Sequence, residues 1–415
     1  MKDNPELRAM SNSREAKKQE VGSAWSHLLP HIKVEERFMR TNNPMYAFGS
    51  KLNQSRITSS DFNPDSLNEP EDIDDFQTSV TLEQALFAPG AYIGLRMART
   101  EAEAADYDLG RKREEVALDV IKAYMNVITS RNYLDVAEKG LLDAREHHRI
   151  AEARYKAGLG LYSDTLRTDV SVRQAEEGKL RAEKGLKLSG LALSLLMGLD
   201  EPVTVVEAEP SFSVPGLEDS LDAALKRNDL KAMEQRVENA GNNVKLAGAK
   251  YLPVLAVGGT WQLNSEDTAF GSDAESYSVM ASLRWDLYDG GLRRAERRKA
   301  RARQREADEY MVGLKKQVTF KVHEAFLELE EARSGLELAE ARLRLARESQ
   351  RLIASRYENS LTTVVELMDV QSALNAARAA VVEKHNNYRV AAAELMFQSG
   401  IILEGYMTEN GGDDK

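Results

Sequence analysis

This chain is written twice. Val116–Gly198 lies over Val318–Gly400 at a constant shift of 202 residues without a gap, so that Ala123-Tyr124 meets Ala325-Phe326 and Arg154-Tyr155 meets Arg356-Tyr357. Further upstream, Leu7, Ala9, Met10, Leu29 and Pro30 meet Leu230, Ala232, Met233, Leu252 and Pro253 at a shift of 223. A repeat of about two hundred residues is too long for a solenoid unit. It reads as a duplicated half-structure, each half ordered as helix, strand pair, very long helix, turn, returning helix. The expected organisation is a first repeat over 1–199, a connector over 200–228, a second repeat over 229–402 and a polar tail over 403–415.

The long helices follow from what is missing. Proline is absent and glycine scarce from Ile93 to Tyr155 and from Arg293 to Tyr357. At about 1.5 Å per residue each run spans roughly 100 Å. The second run holds a heptad. Val322, Leu329, Leu336 and Leu343 occupy one position, and Ala325, Ala332, Ala339, Ala346 and Ile353 the other. The first run repeats it with Val120, Val127, Leu134 and Leu141 against Ala123, Ser130, Ala137, Ala144 and Ala151. A seven-residue period sustained this long predicts supercoiled helices with close approach along the alanine seam. Each run ends in a turn, at Arg154–Asp164 and Arg356–Glu366, and a second helix returns to about Met197 and Phe397. The connector carries Pro202, Pro210, Pro215 and Gly216, with a short strand expected at Val203–Val206.

Pro30 and Pro253 each end a helix and open an alternating run. Ile32, Val34 and Phe38 share one face, with Leu255, Val257 and Trp261 in the second copy; His31, Lys33, Glu35 and Arg37 share the other. The later strand of the second pair sets Tyr277, Val279, Ala281, Leu283, Trp285 and Leu287 against Ser276, Ser278, Ser282, Arg284 and Asp286. Thr78, Val80, Leu82 and Leu86 repeat the pattern more weakly against Gln77, Ser79, Thr81 and Glu83. Strands of about ten residues, apolar outside and polar inside, fit the wall of an outer-membrane barrel; a half-buried sheet on the helices is the plainer alternative. About four strands per chain cannot close a barrel, which needs at least about eight. Open edges are not tolerated in lipid, so copies are expected to share one barrel with cyclic symmetry. The loop Arg40–Asp75 is long and polar and Asn264–Glu275 shorter; long loops at one barrel end are usually extracellular.

Composition narrows the classes. With 415 residues, a formal net charge of −11, 30% charged residues, 7% aromatics and no cysteine, the chain favours long helices over a large globular core and, within the residues given, excludes disulfides, thiolate metal sites and a lipid-anchored cysteine. The acidic balance argues against nucleic acid as the main partner, and no run of about eighteen apolar residues offers a membrane helix. Met1 opens Lys-Asp-Asn-Pro rather than an apolar signal core. The segment Gly216–Leu225, which precedes the matched region in the second half, has no counterpart before Met1. A signal peptide and the start of the first helix are therefore expected to be missing, with Met1 an internal methionine of a longer precursor or an expression start.

Two Leu-Pro junctions opening strands, the run Leu283-Arg-Trp-Asp-Leu-Tyr-Asp-Gly-Gly291, the paired Arg-Tyr turns and Val364-Val-Glu-Leu-Met-Asp-Val370 resemble the TolC family of outer-membrane efflux channels. The resemblance covers nearly the whole chain. It implies a mainly α fold with a small β part, in which long coiled-coil helices form an α-barrel tunnel and four strands per chain contribute to a twelve-stranded transmembrane β-barrel of a homotrimer. It further implies a passive exit duct in the outer membrane, with its helical tunnel in the periplasm, serving a tripartite efflux or type I secretion system. Its partners would be a periplasmic adaptor (membrane fusion) protein, an inner-membrane RND or ABC pump and outer-membrane lipid; no cofactor, metal or nucleic acid is implied. A soluble elongated coiled-coil scaffold or periplasmic adaptor is the alternative, and an export duct for a protein toxin or protease shares the architecture.

The resemblance also assigns residues. The two acidic residues that line the narrow periplasmic entrance in the family fall on Glu366 and Asp369, which lie on one helix face at i, i+3; threefold symmetry would gather six carboxylates into a cation-attracting ring. An ordinary solvated helix face is the bland reading of this pair. The family's closed state joins a tyrosine and an arginine of the second turn to an aspartate of the first. Tyr357 and Asp164 match, whereas Thr362 stands at the arginine position, so a looser resting gate or one held by other contacts is expected. Adaptor docking falls on Arg154, Gly158, Leu159, Arg356, Ser360 and Leu361, with Ser360 departing from the glycine of the first copy.

Catalytic motifs are absent: there is no Ser-His-Asp order, phosphate loop or His-Glu-x-x-His, and His323-Glu324 lacks a second histidine. His147-His148 is read as structural, with His148 on the heptad seam beneath Leu141. Gly290-Gly291 eases a strand-to-helix passage rather than binding a dinucleotide. The basic run Arg293, Arg294, Arg297, Arg298, Lys299, Arg301, Arg303 and Arg305 suits the periplasmic mouth of a barrel but has no assigned partner.

Overall fold

The computed structural model describes residues 4–199, 201, 203, 205 and 214–407. In chain order its elements are helix α1 (Pro5–Ser26), strand β1 (His31–Thr41), helix α2 (Pro44–Asn53), a 3-10 turn at Ser59–Phe62, helix α3 (Pro64–Asn68), strand β2 (Ile73–Phe87), helices α4 (Pro89–Lys156), α5 (Tyr162–Met197), α6 (Leu217–Ala224) and α7 (Asn228–Ala249), strands β3 (Val254–Ser265) and β4 (Ala274–Arg284), and helices α8 (Leu292–Glu358), α9 (Val364–Gln398) and α10 (Ile402–Met407). Proline opens α1, α2, α3 and α4, where its missing N–H is no loss. The chain divides into two compact units: a helical one of residues 1–14, 105–233 and 310–415, and a sheet-bearing one of 15–104 and 234–309.

In the helical unit the heptads are packed seams. Val322, Ala325, Leu329 and Ala339 are buried on α8, as are Val127, Leu141, Ala144 and Ala151 on α4. The returning helices end alike. Gly198 and Gly400 adopt left-handed φ of 73° and 75°, and the N–H groups of Leu199 and Ile401 reach back to Ser194 and Met396 carbonyls at 2.9 and 3.0 Å, the Schellman closure that glycine permits. A buried ionic corner joins α4, α7 and the end of α9: Arg111 to Glu114 at 2.8 Å, Asn228 to Glu114 at 2.6 Å, Arg227 to Asp229 at 2.6 Å and to the Gln398 carbonyl at 3.0 Å. Of the connector's expected strand, Thr204 and Val206 lie outside the described residues. Val205 is buried against Met125, Ile128 and Leu193, and the Val203 N–H donates to Ser194 Oγ at 2.9 Å. The segment expected as a polar tail opens inside α10, and residues from 408 on lie outside the described ones.

In the other unit one antiparallel sheet has the order β1-β2-β3-β4. The register aligns the expected faces across all four strands. Val34, Val80, Trp261 and Tyr277 form one row, and Ile32, Leu82, Gly259 and Val279 the next. On the other face Lys33, Thr81, Thr260 and Ser278 align, as do Glu35, Ser79, Gln262 and Ser276. The apolar side is bare: Ile32, Val34, Tyr277, Val279 and Leu283 are all exposed. This differs from a half-buried sheet resting on helices. The outer edges of β1 and β4 have no partner strand among the described residues.

Three strand ends differ from expectation. β4 stops at Arg284, short of Leu287, because its partner β3 begins at Val254 and the preceding Pro253 has no N–H to continue the ladder. β1 and β2 extend to Thr41 and from Ile73, so the loop between them is shorter than Arg40–Asp75 and holds α2 and α3. This excursion is anchored on the polar face of the sheet. Gln54, itself buried, donates to the Asp74 carbonyl at 2.8 Å and to Asp75 Oδ1 at 2.9 Å, and Asn264 donates to the same Asp75 oxygen at 2.9 Å.

Candidate functional site

The two turns close with the same bonds. Gly158 N–H donates to the Tyr155 carbonyl and Leu159 N–H to the Arg154 carbonyl, both at 2.9 Å; Ser360 N–H donates to Tyr357 at 3.1 Å and Leu361 N–H to Arg356 at 2.8 Å. Gly158 has φ of 71° and Ser360 φ of 60°. Ser360 thus takes the left-handed conformation of the glycine it replaces, and the turn shape survives at a cost of about 1 kcal/mol. Leu159 and Leu361 project at the two tips, 68% and 69% exposed, and Arg356 is also exposed.

The turns are tied together by Arg154. Its guanidinium donates to the Tyr357 carbonyl, to the Ser360 hydroxyl at 3.1 Å and to the Leu159 carbonyl at 3.4 Å, and lies over the Tyr357 ring, 4.5 Å from the centroid. Tyr357 is buried with Val364 and Leu367, packed by Ile150, Ile353 and Met368. Burial raises the Tyr357 phenol above its ordinary value; Arg154 opposes the shift and Asp164 adds to it. Asp164 acts on Tyr357 only electrostatically, and no hydrogen bond joins the two side chains. Thr362, at the position that lacks an arginine, has a buried hydroxyl without a hydrogen-bond partner. The cation at the paired turns comes instead from Arg154, on the first turn. Nothing in the sequence marks that arginine for the bridge, since its partners lie more than two hundred residues away.

Thr363 caps α9, its hydroxyl accepting from the Glu366 N–H at 3.3 Å. Val364 and Leu367 turn inward, which leaves Glu366 and Asp369 exposed together on the opposite flank. Further along α9, Asp143 accepts from Gln371 at 2.9 Å and Arg378 at 2.7 Å, and His147 Nε2 meets Gln371 Oε1 at 3.1 Å. His147, not His148, is the more buried of the pair. The reason is that α4 carries two seams here, one to α5 through Leu141, Ala144 and Val172 and one to α9 through Asp143 and His147. His148 serves the α5 side, with Nδ1 at 3.0 Å from the Thr168 hydroxyl. Asp369, His147, Thr168 and Gln371 line a polar cavity of about 450 Å³. Among the described residues there is no cluster of three metal-ligating side chains, and no helix long and apolar enough to cross a membrane.

Comparison with known proteins shows the family and the fold. The family model described as outer membrane efflux protein matches residues 1–199 and 221–400. Protein CyaE of Bordetella pertussis is 27% identical over 78% of this chain and 70% of its own length. Alkaline protease secretion protein AprF of Pseudomonas aeruginosa is 23% identical over 97% of this chain and 83% of its own. In fold, the CmeC outer membrane channel of Campylobacter jejuni superposes with a TM-score of 0.80 at 15% identity, covering 96% of this chain and 84% of that one.

Proposed function

The chain belongs to the outer membrane efflux protein family and is an outer-membrane exit duct, and from that premise we propose that three copies close one barrel and one tunnel, gated at the paired turns by Glu366, Asp369, Tyr357, Asp164 and Arg154. The observation that carries the reading is the sheet: four strands, one mostly apolar face on which Ile32, Val34, Tyr277, Val279 and Leu283 are exposed, and two open edges among the described residues. Such a sheet is costly in water and impossible in lipid until copies pair edge to edge. Three copies supply twelve strands, enough for an aqueous bore. Energy then comes from a partner pump rather than from chemistry in this chain. The exposed tips Leu159 and Leu361, with Arg356, form the docking surface for a periplasmic adaptor, and Gly158 and Ser360 hold it in shape. Both efflux and type I secretion fit the duct; the name of the relative that covers 97% of the chain, a protease secretion protein, favours the latter as cargo class.

The test is conductance in planar bilayers. Glu366→Gln with Asp369→Asn is expected to abolish cation selectivity and divalent block while channels still form. Unchanged selectivity would refute the carboxylate ring. Arg154→Ala removes the fork that ties the turns and is expected to raise the resting conductance several-fold, whereas Tyr155→Ala leaves it near wild type. An unaltered Arg154→Ala channel would show that the turns are held elsewhere.

A further inference from the structure

The basic run at the start of α8 is the one motif that the duct does not use. Arg293 is accounted for: it is buried, pairs with Asp289 at 2.9 Å and lies over the Tyr251 ring. The others are not. Arg294, Arg298, Arg301 and Arg305 follow at i, i+4, i+7 and i+11, so they form one stripe, and all four are exposed. None has an ion pair among the described residues. Two nearby carboxylates are taken, Asp289 by Arg293 and Glu296 by Lys250.

Left alone, such a stripe is unfavourable twice over. Like charges at i, i+3 and i, i+4 repel by a few tenths of a kcal/mol each. Arg294 also sits at the wrong end of the helix dipole, in a first turn that carries no acid. The fold does not demand it: at the shift of 202 the first copy has Tyr92, Arg96, Arg99 and Glu103 at these positions. A second observation says where the stripe lies. Between β4 and α8, Trp285, Leu287 and Tyr288 are 57%, 77% and 86% exposed, just past the end of the strand that carries Tyr277, Val279 and Leu283. Aromatics in that place form the girdle of a barrel at the membrane surface. The same stretch of α8 turns Arg293 and Glu296 to a cavity bounded by Val254 and Arg284 on the polar side of the sheet. Arg294, Arg298 and Arg305 lie on the flank away from it.

We infer that this stripe binds the phosphates of anionic phospholipid in the periplasm-facing leaflet of the outer membrane, fixing the depth of the barrel below its aromatic girdle. The inference rests on the outer-membrane reading above. The headgroup layer is about 5–8 Å deep, and Arg294 and Arg298 are about 6 Å apart along the helix, so these two meet phosphate directly. Arg301 and Arg305 lie deeper in the periplasm and act across a Debye length of about 8–10 Å.

The full chain with Trp25→Phe and Trp261→Phe retains Trp285 as its sole tryptophan, beside the stripe. It is reconstituted into phosphatidylcholine vesicles that contain brominated phosphatidylglycerol or, in parallel, brominated phosphatidylcholine. Brominated phosphatidylglycerol is expected to quench Trp285 at several-fold lower mole fraction, a preference that weakens in high salt. Arg294→Gln and Arg298→Gln each reduce the preference about fivefold, the effect of one basic side chain near an anionic surface. Arg301→Gln and Arg305→Gln reduce it less, and Arg294→Lys keeps most of it. Equal quenching by the two lipids overturns the inference and leaves the duct standing. So does a glutamine pair that keeps the lipid preference but alters ion selectivity, which places the stripe in the bore, or loses the oligomer, which places it at a seam between copies. Quenching by neither lipid, with no conductance, overturns the outer-membrane reading and this inference together.

Discussion

At Gly158 and Gly400 the same backbone conformation is required for different reasons. Gly158 has left-handed φ and open space where a Cβ would stand, whereas a Cβ on Gly400 would meet Arg227 Cγ at 2.7 Å. Gly158→Ala is expected to cost about 1 kcal/mol, the left-handed penalty alone. Gly400→Ala adds displacement of Arg227 from Asp229 and Gln398, whose loss leaves buried polar groups unpaired, and is expected to cost about 2–4 kcal/mol. Apparent melting temperatures of the two variants, measured side by side, check the order. Ser360 shows that the first penalty is bearable at a turn tip, and the Arg154 contact to its hydroxyl is one visible return for it. The turn at Arg154–Asp164 and a helix end at about Phe397 were expected from the sequence. The neighbour of Gly400 was not, because Arg227 comes from the remote link between α6 and α7.

Among the elements, the β1–β2 excursion carries a carboxylate held well below its ordinary range. Asp61 accepts from the Thr58 N–H at 2.7 Å and from Lys51 at 2.9 Å, joining the 3-10 turn to α2. The backbone N–H of Thr58 first, then Lys51 and the Thr58 hydroxyl, hold the Asp61 carboxyl down at about 2. Its folded value lies below the ordinary carboxylate range, so its contribution is present above about pH 4 and is lost as pH falls through about 2. Proteolysis within residues 42–72 is expected to stay slow down to about pH 3 and accelerate below it. Asp61→Asn is expected to make cleavage pH-independent over that window; a variant with the wild-type profile would exclude Asp61 as the responsible group. The elements themselves were largely legible. Missing prolines marked α4 and α8, Leu-Pro junctions marked the starts of β1 and β3, and heptads marked the seams. The ends of β2 and β4 were not, because a strand ends where its partner ends, and pairing is invisible along one strand.

At the scale of the molecule, the two faces of the sheet face different solvents. Val279 and Ser278 are adjacent and both exposed, on opposite faces. Val279→Arg is expected to cost about 2–4 kcal/mol of barrel insertion at mid-membrane, while Ser278→Arg, on the bore side, costs little. The amount of folded protein recovered in outer-membrane fractions reads the difference; equal recovery would deny that the apolar face meets lipid. Of the proposed gate, the carboxylates Glu366 and Asp369 and the tyrosine–aspartate pair were assigned by resemblance. The cation at Arg154 was not, nor was the Asp143–Gln371–Arg378 link. Each joins α4 to residues on or just before α9, more than two hundred positions away.

By itself the sequence determined the duplication, the helix lengths, the heptad seams and the alternation of the strands, because these arise from periodicities and backbone limits that act within a few residues. Only the tertiary structure decided which arginine bridges the turns, where His147 is buried, where β4 stops and which face the excursion covers. Those outcomes depend on the approach of segments remote in the chain, where a hydrogen bond or a packed ring is settled by proximity that no local pattern encodes.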